Sequence, residues 1–236
     1  MTASAAEPAG GGLADELLAA AITLVGGSGR VVLGIAGAPG AGKTTLAELL
    51  VREVGARQGA DWVAHLPMDG FHLADRQLHR LHALGRKGAP DTFDAQGYAH
   101  LVERMTTEPD KWIYAPGFDR TLEQPLAADI VVPPSARLII TEGNYLLLEG
   151  GAWPRARAAM REVWFVSGND EQRVDRLVRR HITFGKRPQA ARAWVESSDQ
   201  VNAELVSAGS TQADRVVLNG PHGWSFATSR PFSTSG

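Results

Sequence analysis

The octapeptide Gly37-Ala38-Pro39-Gly40-Ala41-Gly42-Lys43-Thr44 lies between two segments of opposite character. Before it runs Val31-Val32-Leu33-Gly34-Ile35-Ala36, an almost wholly apolar stretch that suits a parallel strand buried on both faces. After it, Leu46, Leu49, Leu50 and Val54 fall on one face of a segment from Lys43 to about Arg57, which predicts a helix. Strand, glycine-rich turn and helix in immediate succession turn backbone N–H groups inward and aim the helix's positive end at the same point. The pattern G-x-x-x-x-G-K-[ST] is met in full and predicts a cradle for the phosphates of a nucleotide. Gly37, Ala38, Pro39, Gly40, Ala41 and Gly42 form the loop, Lys43 reaches the β/γ-phosphates, Thr44 holds Mg²⁺, and Thr45 completes the nucleotide-binding set.

Four further apolar runs recur along the chain: residues 62–68, 138–141, 163–166 and 215–218. Helical patterns separate them at 96–105, 170–180 and 190–207, and another precedes the first strand at 13–25. This alternation predicts an α/β fold with a mostly parallel five-stranded sheet and helices on both faces. In such sheets ligands sit beyond the carboxyl ends of the strands. Residues 1–12 are expected to be disordered, 13–220 to form one domain, and 221–236 to be a polar tail with Trp224, Phe226 and Phe232 as packing candidates.

Twenty-four basic against 26 acidic residues give a net charge of −2 and no electrostatic reason to bind nucleic acid or an anionic membrane. Cysteine is absent, which removes disulfides and thiolate metal chemistry. Leu17 to Val25 follows no basic segment, so it reads as part of an amphipathic helix rather than a secretory signal. A soluble cytoplasmic protein with a small-molecule substrate is expected, and a homodimer stays open.

Two of the strand candidates end in an acid followed by glycine: Asp69-Gly70 and Glu142-Gly143. A carboxylate at the end of the strand beside the cradle can accept the proton of an attacking hydroxyl, the role expected of Asp69. Glu142 occupies the place of a carboxylate that holds Mg²⁺. A guanine-reading N-K-x-D is missing, since Ser167-Gly168-Asn169-Asp170 lacks the lysine. Asp94 is a helix N-cap candidate, as is Asp170. His72 and Phe93 are candidates for the acceptor pocket, and Arg86-Lys87, in a loop, could grip an anionic or hydroxyl-rich substrate.

Gly37–Thr44, Met68-Asp69-Gly70-Phe71-His72, Arg86-Lys87-Gly88-Ala89-Pro90-Asp91-Thr92-Phe93-Asp94 and Thr141-Glu142-Gly143-Asn144-Tyr145 occur in this order. In them the chain resembles the uridine kinase, phosphoribulokinase and bacterial pantothenate kinase superfamily over about residues 30–220. The resemblance implies a P-loop kinase fold with a small lid and acceptor lobe, ATP and Mg²⁺ as cofactors, and phosphoryl transfer to a hydroxyl of a small metabolite. It implies Asp69 as base and Glu142 near Mg²⁺. It also points to Tyr114, Arg120, Asn144 and Asn202 at the acceptor, with Tyr114 and Arg120 matching loosely. The lid is expected at about 176–190. Over Asp170–Arg187, Arg173, Arg176, Arg179 and Arg180 recur on a helix, with Arg176 and Arg180 chosen for phosphate or adenine contact, Arg176 in a catalytic role, and Lys186 or Arg187 closing on the nucleotide. A nucleoside-, sugar- or pantothenate-like acceptor is expected. A regulatory P-loop ATPase acting as a nucleotide switch and a nucleoside monophosphate kinase are the alternatives.

Overall fold

The computed structural model describes residues 13–228. The disordered segment expected at 1–12, and Phe232 with the last part of the tail, lie outside them. In chain order the elements are α1 (Asp15–Thr23), β1 (Val31–Gly37), α2 (Lys43–Gln58), β2 (Val63–Pro67), α3 (Asp75–Arg80), α4 (Ala95–Thr107), β3 (Ile113–Asp119), β4 (Gln124–Val132), β5 (Leu138–Gly143), α5 (Trp153–Ala158), β6 (Glu162–Gly168), α6 (Asp170–Thr183), α7 (Pro188–Trp194), α8 (Gln200–Ala208), β7 (Arg215–Gly220) and β8 (Gly223–Phe226). No helix among the described residues is long and apolar enough to cross a membrane.

The central sheet runs β2-β5-β1-β6-β7-β8. The five expected strands are all parallel, and β8 adds a sixth, antiparallel to β7. β1 is buried at every position, as its apolar run requires, and its residues feed two cores. Val32 and Ala36 pack under α4, α5 and α8 with Tyr98, Trp153 and Val206. Leu33 and Ile35 face α1 and α2 with Leu17, Leu46 and Leu50. Burial of apolar side chains on both faces at roughly 25 cal/mol per Å² is what holds the layers together.

Three expectations change. The segment read as a polar tail includes β8, whose Trp224 is buried against the second core; its alternation with polar Ser225 hides the strand signal. The helix expected over 190–207 is three pieces, because Val195–Asp199 winds as a π-helical turn between α7 and α8. Asn169, not Asp170, caps α6: its side chain accepts from the Gln172 N–H at 2.9 Å, leaving Asp170 to pair with Arg173. Asp94 does cap α4, accepting from the Gly97 N–H at 2.8 Å.

A cleft at the carboxyl ends of the strands

β5, not β2, is the neighbour of β1, so Glu142 stands in register between Ile35 of β1 and Pro67 of β2. Asp69 comes from the next strand out, on a 3-10 turn over Met68–Phe71 that bends it back toward the cradle. That turn needs Gly70: a Cβ there would lie 2.1 Å from the Pro116 carbonyl oxygen of β3. Asp69, Glu142, Lys43 and Thr44 thus line one cleft of about 430 Å³.

Lys43, buried in the first turn of α2, donates from Nζ to the Ala38 carbonyl at 3.0 Å and to Asn144 Oδ1 at 2.7 Å. Burial lowers its pKa to about 8, against the opposing pull of Glu142 and Asp69. The Thr44 hydroxyl donates to Glu142 Oε1 at 3.0 Å. Burial, reinforced by the charge of Asp69, pushes the Glu142 carboxyl up to about 7. The Glu142 carboxyl and the Thr44 hydroxyl, held together in the cleft, are hard oxygen donors, the donor type Mg²⁺ prefers. Thr44 and Glu142 therefore fit such an ion.

On the far side of the cleft, Arg120 reaches Asp69 Oδ2 at 3.4 Å. His72 Nδ1 lies 2.8 Å from the Asp69 carbonyl, and a carbonyl can only accept, so Nδ1 carries the hydrogen in the neutral ring. Burial lowers the His72 pKa. Its ring packs 4.0 Å from Phe93 and 4.9 Å from Phe118, giving the cleft an aromatic wall. Lys87 lines the cleft paired with Asp75 at 2.7 Å, and the buried Asn202 faces it from α8.

Several expected site residues stand elsewhere. Arg86 pairs with Asp91 at the surface and does not line the cleft. Tyr114 is 62% exposed, because alternation along β3 buries Ile113 and Ala115 and turns Tyr114 outward. Arg176 reaches the cradle from outside, its Nε donating to the Gly40 carbonyl at 3.1 Å, and it does not line the cleft. Arg180, one turn on, does line it, close enough to Asp69 and Glu142 to feel both charges. Arg187 is exposed at the N-cap of α7, whereas Lys186 lines the cleft with Nζ 4.6 Å from the centre of the Trp194 ring. Thr45 lies on α2 beyond the cleft lining.

Sequence reasoning missed Asp199 and His181, which line the cleft and meet at 2.8 Å. The π-helical turn that aims Asp199 inward left no periodicity to read. Asn219 was also missed; it donates from Nδ2 to the Ala41 carbonyl at 3.0 Å. Its one signal was its place at the end of a strand, before Gly220.

No protein-family model matches the chain. It is 34% identical over 209 residues to the Schizosaccharomyces pombe protein named "Putative uridine kinase C227.14", covering 86% of this chain and 89% of that one. A solved structure described as "putative fructose transport system kinase" from Silicibacter sp. TM1040 superposes with a TM-score of 0.75 at 32% identity, covering 84% of this chain and 95% of that one. The fold also matches YFH7 from Saccharomyces cerevisiae, described as "a putative P-loop containing kinase with a circular permutation", at a TM-score of 0.73 and 17% identity over 86% of this chain and 98% of that one.

Proposed function

The chain belongs to the P-loop kinases of the uridine kinase, phosphoribulokinase and bacterial pantothenate kinase superfamily, and on that premise we propose that it moves the γ-phosphoryl group of ATP onto a hydroxyl of a nucleoside- or sugar-type metabolite. The observation that carries this is the convergence of Asp69, His72, Arg120 and Asn144 on the cleft that holds Lys43 and Glu142. A nucleotide switch needs neither a carboxylate facing the cradle nor a polar cavity beyond it. A monophosphate acceptor would need free cations on the far wall. Arg86 turns away, while Arg120 and Lys87 already face carboxylates. The relative described as a fructose transport system kinase supports a sugar-type acceptor.

In this reading the loop amides and Lys43 bind the β- and γ-phosphates. Asp69 accepts the proton of the acceptor hydroxyl as its oxygen attacks the γ-phosphorus, and ADP departs with the bridging oxygen. Thr44 and Glu142 would hold Mg²⁺, which would supply positive charge to the phosphate groups. Arg180 and Lys43 face the negative charge on the transferring group, and α6–α7 covers the cleft so that water is kept from it. Screening ATP consumption over nucleosides, sugars and pantothenate, with an acceptor-free control and ³¹P detection of a phosphomonoester, tests the proposal. Acceptor-dependent ADP formation with a phosphorylated acceptor is expected. ADP release at the same rate without any acceptor overturns it.

A further inference from the structure

Three consecutive carbonyls of the glycine-rich loop are each bonded from outside by a side chain of another element. Pro39 accepts from Arg173 at 3.2 Å, Gly40 from Arg176 at 3.1 Å and Ala41 from Asn219 at 3.0 Å. The same elements press on the loop's glycines. A Cβ on Gly40, at φ +76, would lie 2.7 Å from Leu177 of α6, and one on Gly42, at φ +100, would lie 2.8 Å from Asn219 and 2.9 Å from Trp224 of β8. The hairpin that delivers Asn219 and Trp224 is itself fixed: the Trp224 carbonyl accepts from the Ala14 N–H at 3.1 Å, and Glu16 accepts from the Phe226 N–H at 2.9 Å.

We propose that Arg173, Arg176 and Asn219 are positioning residues that hold the phosphate cradle in its binding geometry before any nucleotide arrives. A carbonyl and the N–H of the following residue point in opposite directions across an extended or turning peptide plane. Holding the carbonyls of residues 39 and 41 outward therefore keeps the N–H groups of Gly40 and Gly42 inward, while the Ala41 N–H closes the turn onto the Ala38 carbonyl at 3.1 Å. A loop rich in glycine would otherwise sample many conformations, and ordering it on binding would weaken affinity. This inference rests on the cradle being a phosphate site. It gives Arg176 a role on the loop's outer side in place of contact with the reacting phosphate.

The test uses the full chain and two probes that separate phosphate from base: inorganic tripolyphosphate and adenosine, with binding measured by calorimetry. Asn219→Ala and Arg176→Gln should each bind tripolyphosphate and MgATP about 3- to 10-fold more weakly, the loss of one hydrogen bond. Adenosine binding should be unchanged. In turnover, KM for ATP should rise while kcat at saturating ATP stays near the wild-type value. Asn219→Asp, which sets a carboxylate against the Ala41 carbonyl, should weaken tripolyphosphate binding further than Asn219→Ala. Arg176 is exposed, so its variant keeps the test alive if the Asn219 variants do not fold. Wild-type tripolyphosphate affinity in Arg176→Gln or in folded Asn219→Ala overturns the proposal, as does a loss confined to adenosine. A wild-type chain that binds neither tripolyphosphate nor ATP would refute the kinase reading itself.

Discussion

Thr44 and Glu142, 98 positions apart in sequence, share a hydrogen bond of 3.0 Å at the floor of the cleft. It ties the first turn of α2 to the end of β5, and it places a buried carboxyl where the phosphates of ATP would bring a cation. Glu142→Gln keeps the volume and removes the charge. The Mg²⁺ concentration needed for half-maximal ATP consumption should rise about 10- to 100-fold, as for loss of a metal-supporting group. A Mg²⁺ titration of initial rates checks this. The raised pKa carries a second consequence. The Glu142 contribution to stability is fully present below its ordinary value of 4.5 and is lost as pH rises through about 7. The metal-free wild type should therefore lose melting temperature between pH 5 and 8 more steeply than Glu142→Gln.

Asp69 reaches the cleft from the second strand away from the cradle and is the carboxylate that faces the acceptor wall. Asp69→Asn should leave ATP affinity near normal and lower phosphoryl transfer by about 10²-fold or more, the share of a general base. Single-turnover transfer measured beside calorimetric ATP binding separates the two. Unchanged turnover would remove Asp69 from the mechanism.

Gly70 is where the Asp69 turn meets the hairpin of β3 and β4. A methyl group there would meet the Pro116 carbonyl at 2.1 Å, so Gly70→Ala has to displace backbone. A loss of about 1–3 kcal/mol in urea unfolding is expected, together with reduced turnover as Asp69 shifts. Gly26→Ala, where nothing lies within 4 Å, is the control and should be near neutral.

His65 on β2 has a buried Nε2 without a hydrogen-bond partner among the described residues, and burial lowers its pKa to about 4. The unfolded chain takes up its proton near 6.5, while the folded chain resists until about 4. Stability from this group is therefore full above 6.5 and falls as pH drops toward 4. At pH 5 the deficit is about 2 kcal/mol by linkage. Urea midpoints at pH 7 and pH 5 should show this acid loss in the wild type and its reduction in His65→Leu.

The cradle, the parallel sheet and the pairing of strand-end carboxylates were legible because each rests on local patterning. Apolar runs mark β1 and β5, and glycine spacing marks the loop. The order of the strands was not legible: apolar runs do not say that β5 sits between β1 and β2. Arg86 and Arg120 look alike as isolated charges, and only the fold sends one to Asp91 at the surface and the other to Asp69. Arg176 and Arg180 share one helix, so a small rotation decides that Arg176 meets the outside of the loop while Arg180 faces the cleft. Asp199 was hidden by the π-helical turn, and Tyr114 misled because resemblance at loose spacing carries no information about which face of a strand points inward.

The hairpin of β7 and β8 gives the molecule an order of assembly. The loop at residues 37–44 is synthesised some 180 residues before Asn219 and Trp224, which brace it. A nascent chain halted before β7 would carry every residue of the nucleotide motif and still lack both residues that brace it. A phosphate cradle braced on all sides should then arise only after β8 has been synthesised.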